Sequence, residues 1–167
     1  MKEEILDKLL KDEGEYSNNP KDSGGETIYG VTKKNYPEDF EEIYSAYKVD
    51  KTKAVTLAKQ FYLREFYNPL YDKLKDRLAE KIFSLSVNMG KKKVVEFLQE
   101  VLNAEFGKSI EVDGKFGKDT LEKCLTVYHE TLRSALIIRT KFYYDSIVKK
   151  NPKNKDFYWG WMNRLFS

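Results

Sequence analysis

The chain has 167 residues, 41% of them hydrophobic and 34% charged, with a net charge of +3. That length suits one domain, or one catalytic body with a short appended lobe, and it buries enough surface to fold without a staple. The 2 Trp, 12 Tyr and 10 Phe exclude global disorder, and the small charge excess lacks the basic stripe of a nucleic-acid binder.

Three further exclusions follow. No run approaches the ~18 apolar residues of a membrane-spanning helix, so stable membrane insertion is not expected. The charged start, Met1-Lys2-Glu3-Glu4-Ile5, lacks the apolar stretch of a signal peptide, which implies synthesis in the cytoplasm and another route for any job outside it. The single cysteine, Cys124, and the single histidine, His129, rule out an internal disulfide and leave little for zinc or for His-based catalysis. Carboxylate is what remains abundant, with 27 Asp and Glu. Acid–base work by these groups is the default for an enzyme of this composition.

Most of the chain reads as helix. Ile5, Leu6, Leu9 and Leu10 line a short opening helix ending near Asp12. Residues 13–32 read as loop or hairpin, with glycines at 14, 24, 25 and 30 and strand pieces at Thr27-Ile28-Tyr29 and Val31-Thr32. A helix from about Thr52 to Tyr67 stops before Asn68-Pro69, because the residue before proline avoids helical geometry. Tyr71 to Met89 is apolar on most sides and reads as a central buried helix. Lys91-Lys92-Lys93 reads as the solvated start of the next helix, which carries Val94, Phe97, Leu98, Val101 and Leu102 on one face. A loop from Phe106 to Gly117 leads into one long periodic stretch, Leu121 to Tyr143. After Asn151-Pro152 comes an aromatic segment, Phe157 to Trp161, expected to dock onto the core.

Chemistry concentrates between Asp12 and Thr32. Glu13 sits at the C-terminal end of a helix, where the dipole disfavours negative charge, and that should raise its pKa toward that of a general acid. Asp22 and Thr27 follow across a Gly-rich turn. If the segment folds back, two carboxylates and a hydroxyl share a cleft, which is the equipment for glycoside hydrolysis. The same residues also read as a polar connection with solvated acids, and spacing alone leaves both open. Tyr16 and Tyr29 flank Glu13 and are the aromatic candidates for stacking on sugar rings. Asp113-Gly114 reads as a turn, since Thr120 stands where a calcium loop needs its bidentate Glu.

Glu13-Gly14-Glu15-Tyr16, Asn19 to Thr27 and Tyr29-Gly30-Val31-Thr32 closely resemble the signature of glycoside hydrolase family 108, lysozyme-like N-acetylmuramidases. Phe83, Val87, Asn88 and Gly90 resemble that family's central-helix motif. Leu98-Gln99, Val112 to Gly117 and Thr120-Leu121 resemble its peptidoglycan-binding half, and Gly160 to Arg164 its C-terminal motif. The resemblance implies a mainly α, lysozyme-like fold with a small hairpin near the site. It implies a catalytic lobe over residues 1–90 and a helical half over 91–167 packed on it as one body. Glu13 becomes the catalytic acid, Asp22 and Thr27 its partners as in phage-type lysozymes, and Asn88 a substrate-binding candidate. The implied reaction is hydrolysis of peptidoglycan between N-acetylmuramic acid and N-acetylglucosamine, with no cofactor or metal. Export would pass through a holin or secretion machinery. Rival readings are a lytic transglycosylase on the same substrate and a non-catalytic wall-binding or secretion-accessory protein. Two departures stand out: Glu15 where glycine is usual, and Ser84 where Asp is expected.

Overall fold

The computed structural model describes residues 2–18 and 25–167, so Asp22 and Gly24 lie outside the described residues. Among these residues the chain is mainly α, with eight α-helices and one small antiparallel sheet, as the lysozyme-like reading requires. It divides into two compact units, residues 1–67 and 68–167.

In the first unit, α1 (Lys2–Glu13) buries Leu6 and Leu10 and packs against α3 (Lys51–Phe66). Asp50 starts α3 by accepting the Thr52 and Lys53 amides at 2.9 and 3.2 Å, a side-chain N-cap. Three short strands, β1 (Tyr16–Asn18), β2 (Glu26–Ile28) and β3 (Val31–Thr32), pair antiparallel in that order. Tyr29 and Gly30 alone join β2 to β3, both at positive φ (47° and 78°), which is what a tight two-residue hairpin turn demands. Ile28 and Val31 lie opposite one another and are buried, toward α2 (Pro37–Tyr47), which packs on β2 and β3. Pro37 opens α2, and Phe40 and Ile43 form its buried face.

In the second unit, residues Pro69–Lys73 form a 3₁₀ turn capped by Asn68, so the buried helix begins later than its apolar pattern suggests, as α4 (Asp76–Met89). It packs on α5 (Lys91–Phe106) and α7 (His129–Lys150). Lys91 and Lys92 are exposed at the start of α5, and Lys93 pairs with Glu96 at 2.7 Å. The stretch expected to run unbroken from Leu121 divides into α6 (Lys118–Leu125) and α7, because Tyr128 takes up extended geometry (φ −72°, ψ 117°). His129 then serves α4: its buried Nδ1 accepts the Lys75 amide at 3.1 Å. Buried Lys81 donates to the carbonyls of Leu165 and Ser167 at 2.9 and 3.2 Å, tying α4 to the end of α8 (Lys155–Phe166). A cation at a helix C-terminus is favourably placed. α8 docks through Met162 and Leu165, whereas Trp159 stays 73% exposed.

The Asp113-Gly114 turn is built around buried Gln99. Its Nε2 donates to Asp113 Oδ1, Lys115 O and Thr120 Oγ1 at 2.9, 3.2 and 3.1 Å, and its Oε1 accepts the Gly114 amide at 2.9 Å. The Gln99 and Lys115 N–H groups hold the Asp113 carboxyl below the usual carboxylate range. This motif is occupied by its own fold.

Candidate active site

Glu13 is the last residue of α1, and Gly14 (φ 76°) turns the chain out of the helix. The backbone then meets the hairpin: Tyr29 N donates to Glu15 O at 2.7 Å. This brings Gly30 beneath the Glu13 carboxyl. A Cβ on Gly30 would lie 2.7 Å from Glu13 Oε2 and 2.5 Å from the Tyr62 hydroxyl. Only glycine fits that place, both for space and for its positive φ. Glu13 as a whole remains exposed. One carboxyl oxygen thus abuts protein while the residue stays open to solvent.

Glu15, the rival acid, is engaged elsewhere. Its Oε2 accepts from Lys51 Nζ at 2.7 Å and from the Tyr47 hydroxyl at 2.6 Å. Those two hydrogen bonds, Lys51 first, hold its carboxyl below the usual carboxylate range. A group kept ionised in this way is a poor proton donor.

Thr27 lies on the middle strand, paired with Ser17 on β1 and Thr32 on β3. Directly opposed residues share a face, so three hydroxyl side chains cross the sheet on the side away from Ile28 and Val31. Tyr16 is 37% exposed and stacked on Tyr44 at 5.0 Å, with its hydroxyl donating to Glu26 at 2.9 Å. The Glu26 carboxylate pushes the Tyr16 phenol up to about 12. Tyr29 is only 5% exposed and lies edge-on to Tyr47 at 6.0 Å. The sugar-stacking expectation for Tyr29 therefore needs correction: its ring belongs to the core, leaving little face for a sugar. Asn88 is half-buried on α4, its amide donating to Ser84 O at 3.1 Å, a contact within its own helix. It lies in the second unit, and so does Ser84.

Tyr62 went unremarked in the sequence. Its signal is faint, a tyrosine on an otherwise ordinary helix, yet it is 2% exposed and donates to Tyr29 O at 2.8 Å beside Glu13. Tyr47 and Lys51 were likewise invisible as partners of Glu15, since 32 and 36 residues of chain separate them.

Residues 6–90 match the family model for glycosyl hydrolase 108. The chain belongs to that family. Residues 93–166 match a second model, a predicted peptidoglycan domain. Together the two matches support glycoside hydrolysis with peptidoglycan as substrate and partner. The boundary between them falls after α4, whereas the compact units divide between Tyr67 and Asn68. Among solved structures, that of Brucella abortus SagA aligns at a TM-score of 0.71 and 22% identity, covering 98% of this chain and 88% of SagA. At that identity the likeness is one of fold. No curated protein matches in sequence.

Proposed function

We propose that this family 108 member is an N-acetylmuramidase that uses Glu13 as general acid. Glu13 gives its proton to the glycosidic oxygen as the bond following N-acetylmuramic acid breaks, and water adds to the anomeric carbon. Asp22 orients that water or stabilises the oxocarbenium-like charge, with Thr27 assisting. The observation that carries this reading is the placement of Glu13. It ends a helix, where the dipole favours the neutral acid, and has one oxygen against Gly30 and an exposed approach for substrate. The ionised state of Glu15 removes its nearest competitor. Tyr16, part-exposed and three residues from Glu13, is the proposed sugar contact; Asn88, on the second unit, is a candidate through the family resemblance alone. The enzyme acts on the wall after release from the cytoplasm by a holin or a secretion route.

The test is digestion of purified cell walls, with products identified by mass spectrometry. New reducing ends at muramic acid are expected from the wild type, and loss of a positioned acid should cost Glu13→Gln ~10²–10⁴ in rate. Anhydro-muramic ends would instead make the enzyme a lytic transglycosylase. An active Glu13→Gln would remove Glu13 from the mechanism, and a wild type without activity on walls would leave a wall-binding protein.

A further inference from the structure

One face of α8 is only half used by the core. Met162 is buried, yet Trp159 and Phe166, three residues before it and four after, stay 73% and 60% exposed. Residues three and four apart on a helix are neighbours, so Trp159, Met162, Asn163 and Phe166 form one stripe. Beside that stripe, Lys141 of α7 and Tyr158 complete a cleft of about 570 Å³. Grouped, exposed aromatics of this kind mark a binding surface. The size suits a short ligand segment, whereas a stable protein partner covers roughly 800 Å² on each side.

The polar wall of the cleft is fixed in advance. The two carboxylate oxygens of Asp145 accept separately, one from the Tyr158 hydroxyl at 2.6 Å and one from Lys141 Nζ at 2.7 Å. Lys141 and Asp145 thereby neutralise one another, so a strongly charged ligand finds no opposite charge free among the lining side chains. Tyr158 also meets the Trp159 ring edge-on, 6.3 Å between centres. Two donors stay open. Among the described residues, neither the Trp159 indole N–H nor the Asn163 side-chain amide has a hydrogen-bond partner. An apolar ring face, two open donors and a compensated charge pair match an uncharged N-acetylated sugar. The C–H face of its pyranose ring stacks on an indole, and its acetamido carbonyl accepts from an N–H.

From this arrangement we infer that the α7–α8 cleft is a second glycan-binding site, which holds an N-acetylhexosamine of the wall strand against Trp159. The inference rests on peptidoglycan being the substrate, as proposed above, and is independent of which carboxylate is the acid. Its side chains from Lys141 to Phe166 fall within the residues that match the peptidoglycan domain, a match that assigns no contact residue. Glu13 belongs to the first unit and the cleft to the second. Two sites on one chain hold an enzyme on an insoluble strand more firmly than either alone, through effective concentration.

The experiment titrates the full chain with the N-acetylglucosamine tetramer and follows the two indole N–H signals by nitrogen-edited NMR. Both tryptophans lie in the second unit, and Trp161, stacked on Tyr144 at 5.1 Å, serves as internal reference. The Trp159 signal, identified by its loss in Trp159→Phe, should shift and saturate while that of Trp161 moves less. Co-sedimentation with purified walls on ice should weaken about 10-fold in Trp159→Ala and about 3-fold in Asn163→Ala, the loss of one stacking contact and of one hydrogen bond. Phe142→Ala removes a comparably exposed aromatic (63%) outside the cleft and should bind as wild type does. A Trp159 signal unmoved at millimolar tetramer overturns the inference without any variant. Equal losses in Trp159→Ala and Phe142→Ala, which mean unspecific aromatic adhesion, overturn it too. So does a concentration-dependent dimer abolished by Trp159→Ala beside a silent titration, which makes the cleft a contact between copies. A responding Trp159 in a protein that releases no muropeptides upholds the site and fails the muramidase reading; digested walls beside a silent Trp159 do the reverse.

Discussion

Glu15 and Lys51 are joined by an ion pair of 2.7 Å that spans 36 residues of sequence, binding the segment after α1 to the first turn of α3. Tyr47, at the end of α2, closes the same carboxylate from a second side at 2.6 Å. The residue that departs from the family pattern beside Glu13 has thereby become a clamp.

The clamp predicts two things of Glu15→Gly. Activity on walls should persist within a few-fold of wild type, because Glu15 is held ionised and gives no proton. Stability should fall, and the fall should depend on pH. Lys51 and Tyr47 depress the folded-state pKa of Glu15, so its contribution is present above its ordinary value of 4.5 and is lost as pH drops through the folded value. The melting-temperature gap between Glu15→Gly and wild type should therefore be larger at pH 7 than at pH 3. A dead Glu15→Gly beside an active Glu13→Gln would reverse the two roles.

Gly30 and Gly25 make a controlled pair. Both have positive φ, 78° and 70°, so alanine at either meets a backbone cost of ~1–2 kcal/mol. Only at Gly30 does the new Cβ also run into Tyr62 and Glu13, whereas Gly25 faces open space. Gly30→Ala should lose ~10²-fold or more in rate by displacing the acid, and Gly25→Ala should lose stability with little change in rate. Equal rates in the two variants would mean that Gly30 does not seat Glu13.

Much of this was legible in sequence, and the misses have physical causes. Apolar periodicity found α1 and α5, because each buries one continuous face, and the Asn68-Pro69 stop placed the end of α3 to within a residue. α4 starts five residues later than its apolar pattern, since Asn68 and Pro69 set a 3₁₀ turn into which Tyr71 also buries its ring. α2 passed unread although Phe40, Ile43, Tyr44 and Tyr47 repeat at helical spacing after Pro37. Glu13 was legible because its chemistry is local: a helix end, a glycine, a hairpin. Tyr62 and the Glu15 clamp were not, because contacts between distant segments leave no trace in spacing.

His129 gives a pH dependence in a different window. Its buried Nδ1 accepts the Lys75 amide, which requires a neutral ring, and burial lowers its pKa from 6.5. The unfolded chain binds that proton more readily. The stabilisation is thus present above pH 6.5 and lost as pH falls through the depressed folded value. The drop in melting temperature between pH 7.5 and 5.5 should shrink in His129→Asn, whose amide oxygen can still accept from Lys75. An unchanged drop would show that other groups carry the acid sensitivity in this range, which lies above that of Glu15.

Truncation tests where the catalytic lobe ends. The family match for the hydrolase stops at residue 90, and a fragment ending at Lys91 would contain all of α4. Yet the partners of α4 are α5 and α7, beyond that cut. Ile82, Phe83 and Leu85, all buried in the intact chain, would face water, each at a cost of ~1.5–3 kcal/mol. Lys81 would also lose the Leu165 and Ser167 carbonyls that satisfy its buried ammonium. Residues 1–91 should accordingly give an aggregated or unfolded product, as judged by size-exclusion chromatography and circular dichroism. A soluble fragment that clears walls would show that α4 can do without the helices it packs on, and that the hydrolase half is separable from residues 92–167.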